Sequence, residues 1–352
     1  MAPPSEYITI KLPEMFVGFL ADEPILHPRF EEVCRESGEA VCRACKYDPR
    51  VCKIVQRGDF CRFVAIAAPH AYETQFRTYC DWVNWVFPYD DLFDNGYLRA
   101  DLNNAKAKMV ALFAGTNNKI TQRAQYDVCD LVEFHDDIWG RLQATAPPGV
   151  QKRFLKTLRD FCNAVLDQVG NCSTDRVPTI DEILATRRQS AGVAPLFPLF
   201  EFANLLHLPD TFSEASATIE MQNAAMDSAL LQNDMLSYQK EESEGVPHNV
   251  VAVSRMRGMS AQGAFDYVGR MLEERLELMA SCIDQLPEYD DATITKDIGC
   301  YVEGVKNTIK ANLYWSFTSK RYFGEGRELV KKTRQLKVMR HPPFMASYIV
   351  PE

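Results

Sequence analysis

Hydrophobic residues recur every three or four positions along most of the chain, the spacing that puts side chains on one face of an α-helix. The pattern runs from about residue 26 to residue 335, and residues 70–91 show it clearly. Sustained alternation, the mark of a strand, is nearly absent. We therefore predict an all-α fold with one domain at 26–335, an irregular segment at 1–25, and a loosely held tail at 336–352.

Prolines and polar residues mark the ends of several predicted helices. Thr179 and Glu182 have the spacing of a capping box, in which each side chain bonds to the backbone of the other residue. The run Gly245–Pro247 ends another helix, because proline cannot continue it. The apolar stretch at 191–208 contains Glu201 and two prolines, so we expect a buried, kinked helix rather than a membrane span.

The charge balance excludes one class of partner and leaves another open. The chain has 39 Lys and Arg against 48 Asp and Glu, a net charge of −9. A general nucleic-acid binder needs a basic face, so we expect no nucleic-acid partner. An anionic small molecule stays possible, because a few arginines and bound metals invert the field locally. Eleven cysteines without framework spacing and no evident signal peptide predict a cytoplasmic protein.

An acidic cluster follows a strongly aromatic helix. Asp90, Asp91 and Asp94 come directly after the run WVNWVFPY, and Asp90 and Asp94 share a helix face. A lone cluster of this kind is usually a solvated helix end. Here the preceding aromatic residues are expected to lie in a core, which places the carboxylates at its edge. The acidic pairs at 136–137 and 290–291 have no such approach, and we interpret them as structural.

Three oxygen-bearing side chains recur every four residues in the segment NDMLSYQKE, at Asn233, Ser237 and Glu241. Such positions form one stripe along a helix. Glu241 is the longest and leans back toward the other two, because helical side chains tilt toward the N-terminus. Oxygen ligands suit a hard divalent cation such as Mg²⁺. The stripe alone arises often by chance, so its meaning depends on its neighbours.

Together these motifs resemble those of class I terpene synthases, specifically the microbial, fungal-type enzymes with a single α-domain. The acidic cluster matches the family's aspartate-rich motif, and Asn233, Asp234, Ser237 and Glu241 match its second metal motif in full. Arg187 lies 46 residues before Asn233, at the place of the family's diphosphate-sensing arginine. The pair Arg321–Tyr322 begins 80 residues after Glu241, where the family has an Arg-Tyr pair. The resemblance covers about residues 60–325.

The resemblance implies an antiparallel helical bundle around a deep apolar cavity, and it implies a role for each matched residue. Three Mg²⁺ ions would be bound by Asp90, Asp91, Asp94, Asn233, Ser237 and Glu241. The diphosphate would be contacted by Arg187, Lys240, Arg321 and Tyr322. The linker and effector positions fall on Ser190 and Ala191, with Gly192 as an alternative effector. The aromatic candidates for the cavity wall are Phe63, Phe87 and Trp315.

The implied function is Mg²⁺-dependent cyclisation of a prenyl diphosphate, with farnesyl diphosphate as the expected substrate. One alternative is a prenyl diphosphate elongation enzyme, although that family carries two aspartate-rich motifs. Another is a non-catalytic helical binding protein. The residues leave open the product skeleton, the choice between hydrocarbon and alcohol, and the choice between monomer and homodimer. They also leave open which of Asp91 and Asp94 ligates metal directly.

Overall fold

The computed structural model describes residues 6–94, 96–116, 129–171 and 176–346. These residues form an all-α protein, which confirms the predicted fold class. Its helices are α1 (Phe30–Ala44), α2 (Pro49–Gly58), α3 (Phe60–Ala67), α4 (Glu73–Asp94), α5 (Leu102–Thr116), α6 (Asp130–Thr145), α7 (Pro148–Asn171), α8 (Ile180–Ser190), α9 (Leu196–Ala203), α10 (Asp210–Ser213), α11 (Ser216–Glu244), α12 (Val250–Met256), α13 (Ala261–Ile283), α14 (Ala292–Thr318) and α15 (Arg327–Thr333).

Two predicted helix ends are confirmed. At the start of α8, the backbone N–H of Glu182 donates to Thr179 Oγ1 at 3.2 Å, and the backbone N–H of Thr179 donates to Glu182 Oε2 at 2.8 Å. The capping box therefore satisfies donors that the first helical turn leaves free. Helix α11 ends at Glu244 and is capped by Gly245, whose φ of 68° lies in the left-handed region that glycine adopts at no steric cost.

Helix α11 is the central element of the bundle. It packs against α13 and α14, and α14 packs in turn against α3. Side chains on all sides of α11 are buried, among them Ala224, Leu230 and Met235. A helix surrounded in this way is held by its neighbours over most of its length. Any polar side chain that α11 carries into this interior needs a partner or a function.

The two ends of the chain meet in a short antiparallel sheet. Strand β1 (Tyr7–Lys11) pairs with β2 (Gln335–Met339), with Thr9 opposite Lys337. The sheet is seated on α11, where Glu242 Oε1 accepts a hydrogen bond from the backbone N–H of Met339 at 2.9 Å. The sequence patterns predict neither strand, and here they are wrong. Each strand has only five residues, too few for alternation to be recognised, and each is stable only against the distant other one.

The apolar stretch at 191–208 contains α9, which is buried along its whole length. Pro195 precedes this helix and Pro198 lies in its first turn, where proline removes no helical hydrogen bond. The segment is therefore a short buried helix rather than the kinked one expected. Glu201 is neutralised there by Arg153 Nη2 at 2.6 Å. In the described part of the chain no helix is long and apolar enough to cross a bilayer.

Candidate active site

Helix α4 carries the acidic cluster to the mouth of a cavity. Trp82, Trp85 and Tyr89 are almost completely buried, so this part of the helix lies inside the core, as its aromatic pattern indicates. Asp90 and Asp94 line the cavity. Burial, together with the charges of Asp94 and Asp91, raises the pKa of Asp90 well above its ordinary value. A cation bound beside these carboxylates would stabilise their charged form and lower the pKa again.

The third acid of the cluster has a different environment. Asp91 does not belong to the cavity lining; its two oxygens accept hydrogen bonds from Arg321 Nη2 at 2.8 Å and Nη1 at 3.3 Å. Asp94 accepts a hydrogen bond from Gln168 Nε2 at 2.6 Å. Of the two acids between which the sequence could not choose, Asp94 thus faces the cavity together with Asp90, and Asp91 is held by an arginine.

Helix α11 presents the oxygen-bearing stripe across the cavity from the acidic cluster. Asn233 and Glu241 line the cavity, whereas Ser237 does not. The Ser237 hydroxyl is buried and donates to the backbone oxygen of Asn233 at 2.7 Å, the bond that serine often makes inside a helix. Burial, and secondly the charge of Asp234, raises the pKa of Glu241 to about 7. The stripe therefore has two side chains at the cavity and a third directed at the helix itself.

Arg187 ties α8 to the stripe. Its Nη2 donates to Asp234 Oδ1 at 2.6 Å and to Asn233 Oδ1 at 3.2 Å, and its guanidinium lines the cavity. Asp234 is completely buried, and its other oxygen accepts the backbone N–H of Val250 at 2.6 Å. Asp234 thus holds the arginine on the side away from the cavity, as a carboxylate that orients a neighbouring binding group does.

The Arg-Tyr pair after α14 connects both motifs. Arg321 holds Asp91 of the acidic cluster, and the Tyr322 hydroxyl accepts a hydrogen bond from Asn233 Nδ2 at 2.8 Å. Both side chains line the cavity. Lys240 lines it too, and its Nζ pairs with Glu244 at 2.7 Å. Four side chains that can donate hydrogen bonds to an anion therefore line the same cavity: Arg187, Lys240, Arg321 and Tyr322.

The end of α8 brings the expected effector region to the cavity. Ala191 and Gly192 both belong to the lining, and Gly192 has a φ of 68°, a conformation that favours glycine. Ser190 is buried and outside the lining, and its hydroxyl shares a hydrogen bond of 3.0 Å with His248 Nε2. The linker position thus lies behind the wall, and the two candidate effector positions lie on it.

Beyond the mouth the cavity is apolar and aromatic. Phe63, Phe87 and Trp315 line it as expected, and the Trp315 ring lies 5.1 Å from that of Phe87 and 6.3 Å from that of Phe63. The indole N–H of Trp315 donates to the backbone oxygen of Gly58 at 2.7 Å, which fixes the ring. Including its open mouth, the cavity encloses about 940 Å³. The sequence reasoning missed the remaining wall residues Trp82, Val83, Val86, Phe161, Val193, Leu196, Ala229, Leu230 and Asn312.

Some of the missed residues had a signal in the sequence. Val83 and Val86 lie seven and four positions before Asp90, which is the same helix face. Asn249 stands before the apolar run VVAV, a typical N-cap position. It does cap α12, and its Nδ2 also donates to Glu241 Oε2 at 2.8 Å. That second bond has no signal in the sequence, because it depends on how the chain turns after α11.

The oxygen-bearing side chains of the cavity suit a divalent metal ion that is bound together with substrate. Among the described residues, no three His, Cys, Asp or Glu side chains converge closely enough to hold an ion by themselves. Asp90, Asp94, Asn233 and Glu241, whose side chains carry oxygen atoms, line one cavity. Mg²⁺ is commonly held by one or two carboxylates, waters and substrate phosphate oxygens. The site therefore suits a metal that arrives with a phosphorylated ligand.

Comparison with known proteins agrees with this geometry. Residues 81–277 match the family described as "Terpene synthase family 2, C-terminal metal binding". The chain is 34% identical to silphinene synthase peniA of Penicillium patulum, over 94% of this chain and 90% of the relative. It is 30% identical to sesquiterpene synthase 1 of Postia placenta, over 77% and 78% respectively.

A crystal structure of the SVS_A2 protein, obtained by ancestral sequence reconstruction, has the same fold. The two structures superpose with a TM-score of 0.74 at 25% identity, and the match covers 88% of this chain and 89% of the other. The family match includes the acidic cluster, Arg187 and the stripe on α11, and the structural match extends over most of the bundle. The chain therefore belongs to the terpene synthase family, whose members are metal-binding lyases that act on prenyl diphosphates.

Proposed function

We propose that the protein is a Mg²⁺-dependent sesquiterpene cyclase that ionises farnesyl diphosphate and releases diphosphate and a cyclic hydrocarbon or alcohol. The observation that carries this proposal is that one cavity is lined by two kinds of group: charged and oxygen-bearing side chains that contact one another, and apolar or aromatic side chains that pack together. A prenyl diphosphate likewise has a charged part and an apolar part. The relative named sesquiterpene synthase 1 supports a fifteen-carbon substrate.

The mouth is suited to a departing diphosphate. Arg187, Arg321, Lys240 and Tyr322 supply hydrogen-bond donors there, and the planar guanidinium groups match phosphate oxygens. Asp234 and Asp91 hold the two arginines in place, so little reorganisation is needed when charge develops on the leaving oxygen. Mg²⁺ bound at this mouth supplies further positive charge to the same oxygens.

We propose that Asp90, Asp94, Asn233 and Glu241 would hold the metal. Asp91 and Ser237 bond to protein groups, so each would ligate a metal only in another side-chain conformation. The number of three ions follows from the family resemblance. Raised pKa values at Asp90 and Glu241 support this assignment, because a nearby cation restores the charged form of both.

The apolar part of the cavity controls the cation that is left when the C–O bond breaks. Its aromatic faces attract a cation by about 0.5–2 kcal/mol each and offer no lone pair for attack. We propose that Phe63, Phe87 and Trp315 have this role, with Ala191 or Gly192 nearest the site of ionisation. The released diphosphate is the proposed acceptor of the final proton. The boundaries at 25/26 and 335/336, a cytoplasmic location, and a monomeric or homodimeric state stay predictions.

The test is a panel of substrates with ten, fifteen and twenty carbons, each incubated with Mg²⁺ or with a chelator. We expect a cyclic fifteen-carbon product by mass spectrometry, formed only from farnesyl diphosphate with metal present. Longer diphosphates after addition of isopentenyl diphosphate would instead identify an elongation enzyme. Absence of metal-dependent diphosphate release from all three substrates would leave a binding protein.

A further inference from the structure

One polar side chain in the cavity wall has no part in binding diphosphate or metal. The charged lining residues and Asn233 and Tyr322 all belong to the mouth, whereas Asn312 lies on α14 nine residues before Arg321 and one turn before Trp315. It contacts α11 at Ala229, one turn before Asn233 and further from Glu241. Asn312 therefore lies deeper in the cavity than the groups that bind the leaving group.

The orientation of this amide is fixed by its neighbours. Asn312 Nδ2 donates to the backbone oxygen of Ala229 at 3.0 Å and to Gln232 Oε1 at 3.2 Å. A backbone oxygen can only accept, so the NH₂ end of the amide must face α11. Both N–H groups are then used. None of the described residues donates a hydrogen bond to Asn312 Oδ1, and the residue as a whole keeps 6% exposure. Because the NH₂ group is bonded to α11, this oxygen is the polar atom left to face the cavity.

Among the described residues, the side chain of Gln232, the second acceptor, makes a hydrogen bond only with Asn312. It is completely buried, and its Nε2 has no hydrogen-bond partner among the described residues. A buried donor without an acceptor is costly, and most buried amides in proteins are satisfied. An apolar pair at 232 and 312 would avoid this cost. Retention of a costly polar pair beside a reaction cavity is the pattern expected when stability is given up for function.

We propose that Asn312 is a specificity-determining residue of the cyclisation, with its Oδ1 stabilising positive charge at the carbocation carbon that faces α14. This rests on the proposed function. The amide is fixed before reaction and acts in an apolar surrounding, where an oriented dipole is stronger than in water. The aromatic rings stabilise a cation over a whole face, whereas one oxygen favours a single position. Asn312 thereby selects which cation persists long enough to form the next bond.

The test is the product distribution from farnesyl diphosphate in Asn312→Leu, which keeps the side-chain size and removes the dipole. We expect diphosphate release to continue, because ionisation depends on the mouth. The share of the main wild-type product should fall about tenfold or more, a smaller effect than the about 10²–10³-fold loss of rate that follows removal of one preorganised donor from a reaction centre. Earlier-quenched terpenes should rise in its place. Gln232→Leu, which frees the amide, should shift the products in the same direction but less.

The matched control is Thr308→Val. Thr308 lies one turn earlier on α14, is also buried, donates its hydroxyl to the backbone oxygen of Gly304 at 2.9 Å, and does not line the cavity. We expect it to keep the wild-type product ratios. Wild-type ratios in Asn312→Leu, or an equal shift in Thr308→Val, would overturn the proposal.

A misfolded Asn312→Leu, recognised by circular dichroism, would be replaced by Asn312→Ala, for which the same two outcomes decide. Failure of the wild-type protein to release diphosphate is a separate result, because it rejects the proposed function itself. A wild-type protein that forms a product whose identity does not depend on position 312 rejects only the role of Asn312.

Discussion

Asn249 connects the start of α12 with Glu241, a proposed metal ligand. Its side chain is completely buried, and Nδ2 donates to Glu241 Oε2 and to the backbone oxygen of Asp234, both at 2.8 Å. Its Oδ1 accepts the backbone N–H groups of Val251 and Ala252 at the start of α12. The substitution Asn249→Ala removes all four hydrogen bonds and leaves the helices otherwise unchanged.

Three effects follow from this substitution. Loss of the N-cap costs about 1 kcal/mol. The buried oxygens of Glu241 and Asp234 lose their donor, which costs a further ~1–3 kcal/mol. Glu241 also loses the partner that orients it, and loss of such a partner typically weakens metal affinity or activity about 10–100-fold. We therefore expect a destabilised but folded protein that needs much more Mg²⁺.

The assay is the Mg²⁺ concentration that gives half-maximal diphosphate release, measured beside the free energy of unfolding. The control is Asp291→Ala, because Asp291 caps α14 through the backbone N–H groups of Thr293 and Ile294 in the same manner. Asp291 lies at the end of α14 opposite Trp315, about 36 Å along the helix. The control should lose about 1 kcal/mol of stability and keep its Mg²⁺ requirement. If Asn249→Ala keeps the wild-type Mg²⁺ requirement within about twofold, Asn249 does not orient Glu241 for metal binding.

Two further predictions concern stability. His27 Nε2–H donates to the backbone oxygen of Ala71 at 3.0 Å, and its Nδ1 accepts the backbone N–H of Arg29. These bonds fit a neutral ring. Burial lowers the pKa of His27 from 6.5. As pH falls, His27 of the unfolded chain is protonated before His27 of the folded protein, so the stability advantage of the wild type over His27→Gln should shrink below pH 6.5. Urea unfolding at two pH values tests this. An advantage that stays constant contradicts it. Gly304→Ala places a Cβ inside the van der Waals radius of the buried Phe200 ring, so we expect a loss of about 1–3 kcal/mol by chemical denaturation, and unchanged stability would be inconsistent with this packing.

Helical spacing explains what the sequence could predict about the site. It placed Asp90 and Asp94 on one face of α4, and it placed Asn233, Ser237 and Glu241 on one stripe of α11, because the period of a helix is fixed. It did not give the rotamers. The turn of the Ser237 hydroxyl toward the backbone depends on local hydrogen bonding that spacing does not specify.

Contacts between distant segments explain what the sequence could not predict. The pairing of Asp91 with Arg321, the bond from Asn249 to Glu241 and the anchoring of Asn312 on Ala229 each join separate helices. The β1–β2 sheet joins the two ends of the chain in the same way. Each depends on the completed bundle, so no local pattern carries it.

We propose that α4 and α11 form two sides of one metal-dependent site for a diphosphate leaving group. The measurement that decides this is diphosphate release from farnesyl diphosphate by Asp90→Asn, compared with the wild type and with Asp290→Asn. Asp90 lines the cavity, whereas Asp290 is exposed and outside the lining. We predict a loss of about a hundredfold or more in Asp90→Asn, unchanged helical content, and wild-type release in Asp290→Asn. Wild-type release by a folded Asp90→Asn protein would show that Asp90 has no part in such a site.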